Sequence, residues 1–267
     1  MNAATTWGLA AADRAVLRVG GAGARAFLQG LVTNDVTRLD KGPVYAALLS
    51  PQGKYLFDFI LVADGDDVLV DVRGDRAAAL AQRLAMYRLR APVTIEPAGV
   101  EVALGLGAVP TGAAPDPRDP ALGWRAWVPD ATAFVNGMSE LEPAVVTALR
   151  VAHGVPETGI ELIPDDSYIL EMGFERLHGV DFRKGCYVGQ EVTARMKHKT
   201  ELRKGLARVE VEGAPPPPGA EITGDGKAAG ALYSVADGLG LAYLRFDRAG
   251  GEMRAGEARI RLRAAAS

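Results

Sequence analysis

The chain has 267 residues, 48% of them hydrophobic and 24% charged, enough for a sizeable core and two or three compact units. Thirty basic against thirty-three acidic residues leave a net charge of −3, which gives no global attraction to nucleic acid or to an anionic membrane. The single cysteine, Cys186, excludes an intramolecular disulfide and implies no oxidising compartment.

The first twenty residues lack a basic leader followed by an apolar h-region, and no apolar run approaches the ~18 residues that span a bilayer. A cytoplasmic location without a membrane partner is therefore expected. RAFLQGLVTNDVTRL (25–39) predicts a short amphipathic helix carrying Phe27, Leu28 and Leu31. It breaks at Thr33-Asn34-Asp35, residue types that bond their own backbone. VYAALLS and KYLFDFILVA follow, joined by Ser50-Pro51-Gln52-Gly53. Serine at i, proline at i+1 and glycine at i+3 suit a type I turn, so a hairpin is expected. A strand is read over 67–72, and Asp75 is expected to cap a helix reaching about residue 90. Ala77, Leu80, Ala81, Leu84 and Tyr87 share its face; Pro92 ends it, and VTIEP reads as a strand. This β-β-β-α-β run predicts an antiparallel sheet with a helix on one face, an α+β arrangement.

Residues 108–123 read as a surface loop by composition. Ser139-Glu140-Leu141-Glu142 reads as a capping box, opening a helix that runs through Val145, Val146 and Leu149 to Gly154. Past residue 203, short strands separated by Gly, Asp and the prolines of GAPPPPGAEI (213–222) predict a small β-barrel or sandwich.

The candidate chemistry starts at Cys186. Arg183 and Lys184 can stabilise a thiolate there; the alternative is a small buried hydrophobe, as free cysteine often is. One cysteine and three scattered histidines, His153, His178 and His198, provide no stable metal site, so a cluster at Cys186 must borrow ligands. Asp58 and Glu171 are carboxylates among large apolar residues, costly to bury unless paired. Strand alternation offers Asp58 a solvated face opposite Phe57 and Phe59. Glu171 can accept two parallel hydrogen bonds from an amidine-like edge. Between Arg183 and Lys204, seven Lys/Arg (183, 184, 195, 197, 199, 203, 204) outnumber Glu191 and Glu201. They form a solvated face or an anion-binding rim; without interleaved aromatics, direct nucleic-acid binding is not expected.

KGCYVGQE (184–191) resembles the signature of the YgfZ family, folate-binding proteins related to the glycine-cleavage T-protein, an aminomethyltransferase. FLQGLVTNDV (27–36), LLSPQGKYLFDFIL (48–61), HGVPETGIEL (153–162) and LHGVDFRKGCYVGQEVTARMKHK (177–199) resemble it in the same order, over nearly the whole chain. The resemblance implies a T-protein-like architecture. Residues 1–200 would form a folate-binding α+β region with a ferredoxin-like unit at about 44–96, and 201–267 a C-terminal β-barrel. A pocket for tetrahydrofolate or a derivative would open between them.

By the same resemblance, Glu171 in ILEMGF matches the T-protein glutamate that holds the pterin ring. Asn34 and Asp35 match a stretch lining that cavity, and Gln190, Glu191 and Arg195 are assigned to the ligand's rim. Where the T-protein carries a paired DD, this chain has Phe57-Asp58, so one carboxylate of the methylene-transfer chemistry is missing. The family's task is folate-dependent support of iron–sulfur cluster assembly or repair, with ties to tRNA-modifying iron–sulfur enzymes. Cys186 is then the functional thiol beside Lys184, with Asp58 the retained acid. Client enzymes or assembly proteins are the implied partners, and a transient iron–sulfur cluster the implied cargo.

The runner-up is an aminomethyltransferase-like one-carbon transferase that uses folate. A thiol redox enzyme would need a resolving cysteine that this chain does not supply. A folate-responsive RNA-binding module would rest on the basic run alone.

Overall fold

The computed structural model describes residues 5–198 and 202–263, so Lys199 and Glu201 of the basic run lie outside the described residues. Strands β1 (Trp7–Ala10) and β2 (Arg14–Gly20) open the chain. Helix α1 (Ala24–Gln29) buries Ala24 and Leu28 and stops at Gly30. The chain breaks at the expected place, where the Asp35 carboxylate accepts from the Thr37 amide and caps a 3-10 turn over Val36–Asp40. β3 (Val44–Leu49) and β4 (Tyr55–Asp64) make the predicted hairpin, closed by a 2.8 Å bond from the Gly53 amide to the Ser50 carbonyl.

β5 (Asp67–Arg73), α2 (Ala77–Arg88) and β6 (Thr94–Pro97) complete the predicted run. Asp75 does not cap α2. A 3-10 turn at Gly74–Arg76 intervenes, and the Asp75 carboxylate accepts from Arg73 at 3.0 Å instead. The sheet order is β3-β4-β5-β2-β6, so β2, which alternation did not reveal, sits between β5 and β6. β2 is legible only after folding: Arg14 and Arg18 mask its apolar pattern but are drawn to Asp71 and Asp67.

A second sheet collects β7 (Glu101–Leu106), β8 (Ala113–Pro115) and β9 (Trp124–Val128), with the short helix α3 (Ala131–Val135) after them. With β10 (Ser139–Glu140) its order is β10-β1-β7-β9-β8. Two expectations change here. The 108–123 segment is not all loop, because three of its residues pair with β9 as β8. Ser139-Glu140 is no capping box, because it pairs in parallel with β1. The following helix, α4 (Pro143–Ala152), starts with Pro143 at its first position, where the missing N–H is one the helix would not have bonded anyway.

Helix α5 (Gln190–His198), absent from the sequence reading, precedes the last unit. There β11 (Lys204–Glu212), β12 (Ala220–Gly224), β13 (Lys227–Ala236), β14 (Leu239–Arg245), β15 (Met253–Ala255) and β16 (Ala258–Leu262) close into a barrel. Val209, Ile222, Leu232, Leu244, Met253 and Ile260 fill it. An α+β fold with a closed C-terminal barrel is therefore what the chain adopts.

Charged side chains tie the two sheets together. Fully buried Asp71 on β5 accepts from Arg14 at 2.7 Å, from Arg125 at 3.2 Å and from the Trp127 indole at 3.1 Å. Arg125 bonds Asp116 at 2.6 Å, and Arg118 grips the same carboxylate with two nitrogens. Burial alone would raise the Asp116 carboxyl, but the Arg118 and Arg125 guanidiniums reverse that and hold it well below its ordinary value. At the start of α5, Gly189 adopts φ +81, and a Cβ there would lie 2.5 Å from the Ser50 carbonyl oxygen.

Asp116→Ala is expected to cost about 3–5 kcal/mol at neutral pH, because Arg118 loses its carboxylate and Arg125 keeps only Asp71. Since the folded-state carboxyl is depressed, its contribution is complete above its ordinary value of 3.8 and fades as pH falls through the depressed one. Urea melts should show the gap between wild type and variant narrowing below about pH 4. Gly189→Ala is expected to cost about 2–4 kcal/mol from left-handed strain plus overlap. Thermal melting should read this as a Tm lower by roughly 5–15 °C.

Candidate functional site

Two distant stretches of sequence are sewn together beneath the Cys186 loop. The Thr33 hydroxyl donates to the Gly179 carbonyl at 2.7 Å, and the Asp181 amide donates to the Thr33 carbonyl at 3.0 Å. Asn34 donates both amide protons, to the Tyr45 carbonyl at 2.8 Å and the His178 carbonyl at 2.6 Å. Arg38 pairs with Asp181. Asp35 accepts from Gln29 at 3.0 Å and from the Thr37 amide and hydroxyl. Asn34 and Asp35 thus spend these contacts on holding the protein's own chain segments together. Asn34 also lines a cavity of about 450 Å³ with Arg38, Lys41, Tyr45 and His178, to which Glu171 does not contribute.

Lys184 turns inward from this seam. It is 8% exposed, and its Nζ donates to the carbonyls of Gln29 at 2.8 Å, Val32 at 2.5 Å and Asn34 at 2.8 Å. Burial lowers the ammonium to about 8, against the opposing pull of Asp35 and Asp181. With all three protons committed, it is no hydrogen-bond partner for a Cys186 thiolate. Sequence adjacency suggested activation, whereas the chain sends the two side chains in opposite directions.

Cys186 is exposed, which overturns the buried-hydrophobe alternative. Gly185 before it has open space on its side-chain face, and Tyr187 after it returns to the core beside Leu170 and Phe174. The thiol therefore stands on a short projection anchored on both sides. Gln190, Glu191 and Arg195 follow on α5; Glu191 and Arg195 are exposed and Gln190 is half-buried. Lys197 crosses from α5 to pair with Glu175 and lies 5.3 Å from the Phe182 ring.

The two carboxylates differ sharply. Asp58 does not use the solvated face that alternation offered. Its oxygens accept from the hydroxyls of Tyr45 at 3.0 Å, Tyr55 at 2.7 Å and Thr158 at 2.6 Å. Glu171, 9% exposed, accepts from the Tyr243 hydroxyl at 2.5 Å through one oxygen, with the Lys204 ammonium at 3.9 Å. Its other oxygen has no hydrogen-bond partner among the described residues. Burial, then this bond to Glu171, pushes the Tyr243 hydroxyl upward, so it stays a donor. Tyr45, Tyr55, Thr158 and Tyr243 escaped the sequence reading. Thr158 and Tyr243 lie 100 and 72 positions from their carboxylates, so no local pattern could reveal them.

A cleft of about 710 Å³ lies elsewhere, between α4, the end of β1 and the barrel's Pro215, Pro216 and Pro218. None of the expected site residues lines it. No helix among the described residues is long and apolar enough to cross a membrane.

Comparison with known proteins adds three findings. Residues 203–266 match the family model of the CAF17 C-terminal beta-barrel domain. The fold is similar to a crystal structure of the glycine cleavage system aminomethyltransferase T from Bartonella henselae. The TM-score is 0.78 at 14% identity, over 98% of this chain and 86% of that one, a likeness of fold alone. The chain is 32% identical over 272 residues to the iron-sulfur cluster assembly factor IBA57, mitochondrial, of Mus musculus, spanning 87% of this chain and 75% of that protein. The Homo sapiens protein of the same name is 32% identical over 270 residues, with 86% and 75% covered. The Mycosarcoma maydis homolog is 32% identical over 244 residues, with 80% and 60% covered.

The cytoplasmic expectation is corrected by these relatives, which are named as mitochondrial and so point to the mitochondrion instead. That expectation rested on the absence of a leader at the start of the sequence, and such an absence does not identify a compartment. At 32% identity to proteins of which it spans three quarters, the chain belongs to the family of the iron–sulfur cluster assembly factor IBA57.

Proposed function

We propose that this chain serves iron–sulfur cluster assembly by offering Cys186 as a transient ligand to a cluster carried by a client or assembly protein. The carrying observation is an exposed thiol on a projection anchored on both sides, in a chain of this family. Among the described residues no group of three or more His, Cys, Asp or Glu could hold a metal. One thiolate supplies one of the roughly four ligands such a cluster needs, so partner thiolates or a small thiol supply the rest. The cluster is cargo here, and tRNA-modifying iron–sulfur enzymes are among the clients proposed.

Tetrahydrofolate is the small molecule proposed to accompany this work, and Glu171 is suited to hold it. The carboxylate is nearly buried, steadied by Tyr243 on one oxygen and left with acceptor capacity on the other. That arrangement fits the paired N–H edge of a reduced pterin. Gln190, Glu191 and Arg195 on α5 are proposed as rim contacts, and Asn34 and Asp35 as support for the wall. Asp58 is already engaged by three hydroxyls of the protein itself. This favours an accessory factor over an aminomethyl transferase.

In cells lacking the native protein, Cys186→Ala is expected to leave iron–sulfur enzyme activities at the level of the deletion, with protein abundance unchanged. Full restoration by that variant would defeat the proposal. Glu171→Ala is expected to weaken tetrahydrofolate binding about 10- to 100-fold by titration, the loss of hydrogen bonds to a charged acceptor. An unchanged Kd would remove Glu171 from the site.

A further inference from the structure

We propose that Lys184 is the positioning residue of the Cys186 loop, acting as a tethered monovalent cation seated in a ring of three backbone carbonyls. The idea deepens the reading of Cys186 as the working thiol; its functional meaning rests on that reading, its geometry does not.

The ring has a physical origin. Gln29 is the last residue of α1, and helix ends leave their final carbonyls without intrahelical partners. The chain turns tightly there, so the Gln29, Val32 and Asn34 carbonyls converge within 2.8 Å of one point. Partial negative charge collects at a helix C-terminus, which favours a cation. An ammonium carries three N–H donors and no acceptor, which matches three carbonyls one for one. A planar guanidinium, with its donors fixed in a fork, cannot reproduce that convergence. The Tyr187 ring lies 5.3 Å from Nζ and adds an aromatic wall.

Two acids stand nearby, and both are otherwise engaged. Asp35 is held by Gln29 and Thr37, and Asp181 by Arg38 and by the amides of Arg183 and Lys184. The charge of Lys184 is therefore directed at neutral carbonyls.

The consequence for the thiol follows from the next residues. Gly185 has nothing within 4 Å of its side-chain face, and Cys186 is exposed, so neither packs the loop down. Lys184 anchors the projection on one side and Tyr187 on the other. Emptying the ring would leave three carbonyls without this donor and the near side of the projection held only by the Arg183 and Lys184 amides on Asp181.

The test uses the full chain with a nitroxide spin label on its sole cysteine, together with hydrogen exchange. Lys184→Ala removes a propylammonium fragment, and n-propylammonium chloride is the probe that can replace it. The label in Lys184→Ala should tumble at least about threefold faster than in wild type, and amides in 29–35 should exchange about tenfold faster. Adding n-propylammonium should reverse both changes, and tetramethylammonium, which has no N–H, should reverse neither.

Wild-type mobility and exchange in Lys184→Ala would overturn the proposal, as would rescue by both cations or by neither. If Lys184→Ala folds only when n-propylammonium is present, the proposal stands; if it fails to fold even then, the proposal falls. Lys184→Met, which keeps the apolar stem, decides the role of charge independently. A mobile label supports the proposal, and a wild-type label overturns it. Mobility that changes as expected while Cys186→Ala cells keep normal iron–sulfur enzymes would uphold the anchor and refute Cys186 as the working thiol.

Discussion

A buried ammonium that gives all three of its protons to backbone carbonyls governs the geometry around Cys186. The Lys184 contacts join residues more than 150 positions apart, from the end of α1 to the loop before α5. Thr33, Asn34 and Arg38 reinforce the same seam from the other strand of chain. None of these bonds touches the thiol. Their effect is to bring the chain to the surface for two residues and then return it, through Tyr187, to the core. Exposure of a cysteine in a chain with so much apolar content is therefore a constructed feature, since an isolated thiol left to packing alone is usually buried.

Most of the chain's buried acidic groups are committed to architecture. Asp71 and Asp116 form a ladder with Arg14, Arg118 and Arg125 that couples two sheets. Glu161 takes a guanidinium from Arg150 at 3.0 Å and the Ser234 amide at 3.2 Å, tying α4 to the barrel. Asp58 is enclosed by three hydroxyls. Buried charges persist in proteins when such partners satisfy them, and once satisfied they have little left to offer a substrate. Glu171 is the exception among the buried ones, with one oxygen that has no hydrogen-bond partner among the described residues. It sits where the barrel meets the first region, and the barrel itself, through Tyr243, holds it in place. Ligand binding at Glu171 would thus depend on both units being assembled.

The aminomethyltransferase-like fold and the assembly-factor relatives are reconciled by these substitutions of role. A shared scaffold carries unrelated tasks when the side chains at its cavities change. Here Asp58 is held by three hydroxyls, while the one thiol is placed on the outside.

Short-range chemistry was legible from residues alone. Ser50-Pro51-Gln52-Gly53 announced its hairpin because turn preferences act within four residues. Thr33-Asn34-Asp35 announced a break for the same reason, and evenly spaced short strands announced a small barrel or sandwich. The family signature also drew attention to Glu171 and Cys186. Partnership was not legible. Ser139 and Glu140 look like a cap until β1 pairs with them, and β2 hides its pattern behind arginines whose carboxylates lie more than 45 positions away. Lys184 reads as a neighbour of Cys186, yet its nearest companions belong to residues 29–34. Local order follows from contacts that a few residues make with themselves. The direction of a charged side chain depends on where distant carbonyls and carboxylates converge, and that convergence exists only once the chain has folded.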